Sequence, residues 1–170
     1  MRKIEKGAEP EALTEFKRKN PRAIYKDIND ELRKSIREAC VKEQFYLCAY
    51  CCKQITSSNL SSVNEHLKPR NTHQNLSLEF NNLVASCKTP KQCDAAHGSQ
   101  ELPLTPLMPA CETDLIFKLS GRVEGKTPAA QETIKILNLG KNETSNRKLV
   151  EQRKNFLDAF LLKQGTNKIG

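Results

Sequence analysis

"CAYC", residues 48–51, places two cysteines three positions apart in a chain of 170 residues. A Cys-x-x-Cys turn can present two thiolates to one tetrahedral metal ion. A second pair, Cys87 and Cys93, follows in "CKTPKQC", with 35 residues between Cys51 and Cys87. The two pairs together predict a four-cysteine structural zinc site. The second pair is wider than usual, because five residues separate its cysteines.

Other interpretations of the cysteines stay open at this level. Free cysteines often serve as small buried apolar residues. Cys52 directly follows Cys51 and could replace it as a ligand. "CAYC" could also be a redox pair of the thioredoxin type, although no βαβ pattern surrounds it. Cys40 and Cys111 have no partner nearby in the sequence, and we expect both to be buried thiols of the core.

The composition is basic and lean in apolar residues. The formal net charge is +8 and the pI is about 9.2, which suits a polyanionic partner such as nucleic acid. Only 37% of the residues are apolar, so a bound metal would help to hold a small core. The sequence shows no signal peptide and no run of ~18 apolar residues. We therefore expect a cytoplasmic protein that does not enter a membrane and keeps its thiols reduced.

The hydrophobic pattern predicts an α+β fold in which a strand-rich middle region is flanked by helices. Apolar residues at helical spacing indicate the helices, and short apolar runs bounded by turn residues indicate the strands. Thr127 followed by Pro128 marks one helix start. The predicted helices lie at about 10–20, from 27 onward, 91–100, 127–140 and 143–163; strands or hairpins are predicted at 45–55, 63–69, 78–87 and 114–125.

An acidic residue and a histidine, Glu65 and His66, lie between the two cysteine pairs in "NEHLKP". Downstream, Asp94 and His97 are three positions apart on a predicted helix and therefore share one face. Carboxylates and imidazoles bind divalent ions, so Glu65, Asp94 and His97 are candidate ligands. His66 is then free to act as a general base. The combination predicts metal-dependent phosphodiester hydrolysis, although His97 could instead simply stabilise the helix terminus.

The order "CAYC … NEHLKP … FNNLVASC … CDAAHG" resembles the HNH nucleases with a ββα-metal finger. The resemblance implies that the two cysteine pairs hold a structural zinc and that a second divalent ion, Mg²⁺ or Mn²⁺, takes part in catalysis. It implies these roles: zinc ligands Cys48, Cys51, Cys87 and Cys93; catalytic-metal ligand Glu65; general base His66; base-orienting residue Asn82, or Asn81 if the register slips; and metal-site residues Asp94 and His97.

Two features differ from the HNH pattern, the residue at position 94 and the spacing of the second cysteine pair, whereas His97 fits the pattern. Asp94 stands where the family usually has Asn or His, which changes the charge of the implied metal site. His97 stands where Lys or His is common. The wide spacing of Cys87 and Cys93 also displaces the expected start of the following helix.

The flanking segments "MRKIEKGAEPEALTEFKRKN" and "TIKILNLGKNETSNRKLVEQR" resemble the PtuB proteins of Septu anti-phage systems, HNH proteins that also occur beside certain retrons. The resemblance implies a role in phage defence with a partner ATPase of the PtuA type. This chain has no Walker A motif, so we expect it not to bind ATP directly. We expect one compact domain in three parts: an N-terminal helical segment (1–44), an HNH core (45–100), and a C-terminal hairpin with helices (101–170).

The function expected from these features is a metal-dependent endonuclease, with DNA favoured as substrate. RNA, including tRNA, is an alternative, because no base-reading element distinguishes the two polymers. A non-catalytic zinc ribbon that binds nucleic acid or protein is a second alternative. The last helix has an apolar stripe that packs on its own domain or meets a partner: Leu149, Phe156, Leu157, Phe160 and Leu161.

Overall fold

The computed structural model describes the backbone of residues 1–166 and, apart from residue 143, the side chains of residues 1–161. The fold is α+β, as predicted. Three short 3₁₀ turns, Tyr25–Asp27, Gln74–Leu76 and Phe80–Asn82, lie between the regular elements. In chain order those elements are α1 (Glu11–Lys19), α2 (Asp30–Glu43), β1 (Ser62–His66), β2 (Leu83–Cys87), α3 (Asp94–His97), α4 (Ala110–Thr113), β3 (Leu115–Phe117), β4 (Val123–Gly125), α5 (Pro128–Ile136) and α6 (Glu143–Thr166).

Helix α2 supplies the floor beneath the first sheet. Its start is fixed by Asn29, whose side chain accepts a hydrogen bond from the Leu32 amide at 2.9 Å. Leu32, Ile36 and Cys40 recur every four residues and are all buried, so one face of the helix packs against β1 and β2. Cys40 is therefore a core thiol, as predicted.

Strands β1 and β2 pair antiparallel, with Glu65 opposite Val84 and His66 opposite Leu83. The outer edge of β2 is closed by a side chain instead of a third strand. Gln44 donates through Nε2 to the Ala85 carbonyl at 2.8 Å and accepts through Oε1 from the Ala85 amide at 2.7 Å. This clamp holds the hairpin that carries the acid–histidine pair.

The first cysteine segment forms the predicted tight turn. A single bridge pairs Leu47 with Gln54, and the Cys48 amide donates to the Lys53 carbonyl at 2.8 Å. The turn closes through Cys52, whose φ of 59° lies in the left-handed region. The turn holds the thiols of Cys48 and Cys51 on the same side, with their sulfur atoms within 4.8 Å of each other.

Helix α3 is shorter than the sequence predicts. The pattern indicated a helix across 91–100, whereas only Asp94–His97 is helical. The residues on either side of the helix set its two ends. Cys93 before it has φ 53° and Gly98 after it has φ 56°, and neither conformation continues an α-helix. The short helix begins directly after the last cysteine of the pair.

The C-terminal half contains the predicted hairpin and capped helix. Gly121 turns the β3–β4 hairpin with φ 81°, and a Cβ atom there would lie 2.1 Å from the Val150 carbonyl oxygen. Thr127 caps α5 by accepting from the Ala130 amide at 3.2 Å, with Pro128 at the first helical position. Both predictions are confirmed.

The apolar stripe of α6 is divided between core and surface. Leu149 and Val150 are buried, whereas Phe156 is 73% and Phe160 53% exposed. Asn146 has non-helical torsions and kinks the helix just before this stretch. Own-domain packing therefore covers only the first part of the stripe. Within residues 1–166, no helix is both long and apolar enough to cross a membrane.

Candidate metal and catalytic centre

The four predicted zinc ligands converge. The Sγ atoms of Cys48, Cys51, Cys87 and Cys93 all lie within 4.8 Å of one another, and all four residues are buried. Zn–S bonds of about 2.3 Å in a tetrahedron require S–S separations of about 3.8 Å. The Cys51 and Cys87 sulfurs are 3.9 Å apart, so the donor set fits zinc with little movement.

Hydrogen-bond donors around the sulfurs suit thiolate ligands. The Cys87 amide donates to the Cys48 sulfur at 3.3 Å, and Gln92 Nε2 donates to the Cys93 sulfur at 3.7 Å. Arg153, a partly buried cation, lies close enough to interact with Cys51 and Cys93. Such donors and a nearby positive charge stabilise the ionised sulfur that metal binding needs.

The wide loop of the second pair is held by the C-terminal half. Lys91 and Cys93 take left-handed torsions, with φ of 57° and 53°. The Cys93 amide donates to the Leu137 carbonyl at 3.0 Å, and the Asn138 side chain donates to the Lys91 carbonyl at 2.7 Å. Asn146 Nδ2 donates to Gln92 Oε1 at 2.9 Å. The extra residues therefore serve as an anchor, and the Cys93 thiol still reaches the other three.

The remaining cysteines lie outside this cluster. Cys111 is buried, as predicted, and burial raises its pKa to about 11. Burial likewise raises the pKa of the Cys40 thiol to about 12. Cys52 is partly exposed, and its thiol is not among the four that meet. Of the two neighbouring cysteines, Cys51 is therefore the one whose sulfur joins the four-cysteine group.

Glu65 lies at the centre of a second cluster. Its Oε1 accepts from the Tyr50 hydroxyl at 3.0 Å and from His97 Nδ1 at 2.5 Å. Its Oε2 accepts from the His66 amide at 3.0 Å. Burial pushes the pKa of Glu65 up, but the hydrogen bonds from His97, Asp94 and Tyr50 outweigh burial and hold that pKa below its usual value. Glu65 is therefore an oriented, ionised carboxylate.

The Asp94 carboxyl group lies next to that of Glu65, close enough for each to shift the pKa of the other. Burial, aided by the bond to Glu65 and its negative charge, raises the pKa of Asp94 to about 7. Two adjacent carboxylates cannot both stay ionised without a cation or a shared proton. Oxygen ligands of this kind are the donors preferred by Mg²⁺ and Mn²⁺. The pair therefore fits a hard divalent ion.

His97 stands behind Glu65 and has both ring nitrogens engaged. Its ring is only 1% exposed, and Nε2 donates to the Gln100 carbonyl at 2.6 Å while Nδ1 contacts Glu65. Burial opposes the charged imidazole, but the bond and charge of Glu65 outweigh burial and raise the pKa of His97. Direct metal binding by His97 would require one of these bonds to open.

His66 has the tautomer that a base needs. Its Nε2 lies 2.9 Å from the Ser77 carbonyl, which can only accept, so the ring proton resides there. Nδ1 has no hydrogen-bond partner among the described residues. Burial lowers the pKa of His66 to about 4, so the imidazole is neutral and able to take a proton at neutral pH.

Asn82 is hydrogen-bonded within the loop that joins the two strands. Its Oδ1 accepts from the Lys68 amide at 2.7 Å, and its Nδ2 donates to the carbonyls of Lys68 and Leu76 at 3.2 and 3.1 Å. The same loop delivers the Ser77 carbonyl to His66. Of the two adjacent asparagines, Asn82 is buried and makes these contacts, while Asn81 is exposed.

Glu65, His66 and Asp94 open onto one cleft of about 370 Å³. The opposite wall comes from the 3₁₀ turn at Tyr25–Asp27 and from Arg70. Sequence reasoning missed Tyr25 and Tyr50 as parts of this site. The position of Tyr50 inside "CAYC" could have indicated that it lies near the site. Tyr25 lies forty residues before Glu65 and belongs to no local motif.

No family model matches this chain. The chain is similar to the "Retron Ec83 putative HNH endonuclease" of Escherichia coli, with 31% identity over 96 residues that cover 51% of this chain. The match spans 37% of that protein's length. The resemblance to HNH endonucleases with a retron association, expected from the motifs, is thereby confirmed.

Proposed function

We propose that this chain is a metal-dependent HNH endonuclease that hydrolyses phosphodiester bonds of nucleic acid. One observation carries the proposal: a neutral, oriented His66 lies beside the Glu65–Asp94 carboxylate pair in a single cleft. The name of the similar retron protein supports the same activity. The formal net charge of +8 suits a polyanionic substrate.

The β1–β2 hairpin followed by α3 is, in this proposal, a ββα-metal finger. Its support is the order of the elements: the first cysteine pair precedes β1, the acid–histidine pair ends β1, Cys87 ends β2, and Cys93 directly precedes α3. Structural zinc would be held by the four converging cysteines. Glu65 and Asp94 would hold Mg²⁺ or Mn²⁺, with His97 orienting Glu65 or, after one bond opens, joining the ligands.

The residues of the cleft divide the chemistry between them. When bound, a divalent ion at Glu65 and Asp94 supplies a positive charge for a phosphate oxygen and for the leaving oxygen. His66 Nδ1 accepts a proton from the attacking water, because Nε2–H is committed to Ser77. The Ser77 carbonyl then stabilises the imidazolium, and Tyr50 with His97 keeps the Glu65 carboxylate in place.

The biological setting is proposed from resemblance. We propose DNA as the preferred substrate, a cytoplasmic location, and action beside a PtuA-like ATPase in anti-phage defence of the Septu or retron type. The retron name of the similar protein supports the setting. The exposed Phe156 and Phe160 on α6 offer apolar surface for a partner. Division of the chain into segments 1–44, 45–100 and 101–170 stays a prediction.

A cleavage assay tests the activity. Wild type, His66→Ala and the matched control His73→Ala are compared on duplex DNA, single-stranded DNA and RNA, with Mg²⁺, Mn²⁺ or chelator, alone and with the candidate ATPase. His73 is a loop histidine bonded to Thr72 and Glu101, and it does not line the cleft. A general base contributes about 10²–10⁴-fold, so His66→Ala should lose at least 100-fold.

Three outcomes are decisive. Loss of cleavage in His66→Ala, with His73→Ala active and zinc content unchanged in both, supports the nuclease. Full activity from a folded His66→Ala protein refutes the role of His66. One bound zinc with tight nucleic-acid binding and no cleavage under every condition identifies a non-catalytic zinc ribbon instead.

A further inference from the structure

Arg70 lies at the cleft with its hydrogen-bonding capacity unused. Its guanidinium carbon is 5.2 Å from the centre of the Tyr25 ring. Among the described residues it forms no hydrogen bond and no ion pair. Arg33, on the same ring at 5.6 Å, differs, since it bonds Asp30 and two backbone carbonyls. Arg70 is thus held by stacking while all five of its N–H groups stay available.

A second cation without a partner lines the same cleft. Lys26 directly follows Tyr25, and in the described part of the chain its ammonium forms no ion pair. The acidic residues of the cleft lining are Glu65 and Asp94. Among the described residues, neither Arg70 nor Lys26 therefore forms an ion pair with the two carboxylates that line the same cleft.

Tyr25 connects these cations to the proposed base. The Tyr25 ring meets the His66 ring edge to face, with centroids 4.7 Å apart and planes at 88°. The Tyr25 hydroxyl accepts from Asn64 Nδ2 at 2.9 Å, and the Tyr25 amide donates to Ser77 Oγ at 3.2 Å. The Tyr25 ring thus contacts both the Arg70 guanidinium and the His66 imidazole. Arg70 also interacts electrostatically with both His66 and Asp94.

We propose that Arg70 and Lys26 form a binding site for a backbone phosphate of nucleic acid, seated beside His66, with Tyr25 as the positioning residue. The inference rests on the proposed function and names residues that the HNH motif does not include. They come from the 3₁₀ turn at Tyr25–Asp27 and from the interstrand loop.

The chemistry of the group favours phosphate. A guanidinium offers parallel N–H donors that match two oxygens of one phosphate, and stacking on an aromatic face leaves those in-plane donors free. The ammonium of Lys26 adds a mobile point charge. Contacts to phosphate are independent of base sequence, so this site should set affinity and register rather than sequence preference.

Binding and cleavage are measured separately to test the site. Labelled DNA duplex and labelled single-stranded RNA are titrated with zinc-loaded wild type, Arg70→Gln, Arg70→Lys and Lys26→Gln without added Mg²⁺ or Mn²⁺, so that binding is measured without turnover. Arg122→Gln is the charge-matched control, since Arg122 sits in the β3–β4 turn and does not line the cleft. The same variants are then assayed for kcat and KM.

Arg70→Gln should weaken binding about tenfold and lower the dependence of log affinity on log salt by about one unit. Arg70→Lys should recover part of the affinity but not the bidentate contact. Lys26→Gln should weaken binding less, and Arg122→Gln should change affinity less than about twofold, as expected for a distant exposed charge. Equal losses in Arg70→Gln and Arg122→Gln would overturn the site.

Tyr25 variants separate positioning from simple charge. Tyr25→Phe keeps the ring and should bind like wild type, whereas Tyr25→Leu should raise KM like Arg70→Gln and also lower kcat, because His66 loses its neighbour. If Tyr25→Leu does not fold, Tyr25→Phe and Arg70→Gln still decide whether the Tyr25 ring positions Arg70. If Tyr25→Phe binds as poorly as Arg70→Gln, stacking on the ring is not the cause.

Failure of this site can be told apart from failure of the nuclease. If wild type cleaves, His66→Ala does not, and Arg70→Gln matches wild type in KM and affinity, the phosphate site is wrong and the nuclease stands. If no variant cleaves but binding depends on Arg70 and not on Arg122, the nuclease is wrong and the phosphate site stands.

Discussion

Replacing Gln44 with alanine tests how the hairpin under the cleft is stabilised. Gln44 is 4% exposed and forms three side-chain hydrogen bonds, two to Ala85 and one to the Leu47 carbonyl. The Ala85 carbonyl keeps a second partner, the Ala49 amide at 3.0 Å. The Ala85 amide loses its acceptor, Gln44 Oε1, inside a fully buried strand, so its hydrogen-bonding capacity is left unsatisfied.

The expected cost follows from these contacts. An orphaned buried amide costs about 1–3 kcal/mol, and each of the other two hydrogen bonds contributes about 1 kcal/mol. Gln44→Ala should therefore lower the free energy of unfolding by about 3–5 kcal/mol. Ala85 pairs with Asn64, the residue before Glu65, so we also expect slower cleavage from the folded variant.

Urea unfolding of zinc-saturated protein measures the change, with zinc kept in excess so that metal loss does not mix with unfolding. Gln152→Ala is the control, because Gln152 is exposed on α6. A loss below about 1 kcal/mol at an unchanged urea slope would refute the reasoning, since it would mean that Ala85 finds another partner at no cost.

Three further changes test the two metal sites and the base. Cys51→Ser should abolish stoichiometric zinc binding, whereas Cys52→Ser should retain one zinc per chain, as measured by elemental analysis; equal zinc loss in both would contradict the ligand assignment. Asp94→Asn should raise the Mg²⁺ concentration needed for cleavage about tenfold or more while leaving zinc content unchanged. Because the pKa of His66 is lowered to about 4, its neutral form persists well below pH 6.5. The cleavage rate at saturating metal should therefore not show the loss near pH 6.5 that an ordinary histidine base would cause. A rate that halves at pH 6.5, in wild type and equally in Asp94→Asn, would contradict a buried base.

Local patterns predicted the parts of this molecule that local chemistry decides. The Thr127–Pro128 helix start and the turn at Gly121 follow from side chains acting on their own backbone, and the structure bears them out. The convergence of the two cysteine pairs was also predictable, because each pair sits in a turn beside a recognisable strand. A metal site is one of the few long-range contacts that spacing reveals.

Contacts between distant segments carried no such signal. Tyr25 meets Ser77 across 52 positions, and Gln44 meets Ala85 across 41, and neither residue type marks its partner in the sequence. The length of α3 was overestimated because the left-handed torsions of Cys93 are imposed by the cysteine cluster and by Leu137, not by helix propensity. Which residues of the α6 stripe are buried and which are exposed likewise depends on how far the core extends along the helix.

The anchoring of the 88–93 loop limits how this nuclease-like core can be reused. Cys93, a proposed zinc ligand, donates its amide N–H to the Leu137 carbonyl, and Gln92 accepts from Asn146, and both partners lie far outside the 45–100 segment. Transplanting that segment alone into a chimaeric nuclease would leave one corner of the metal cage without support. The transferable unit extends at least to Asn146, so grafting boundaries for this chain should be drawn around the metal's supporting contacts instead of around the motif.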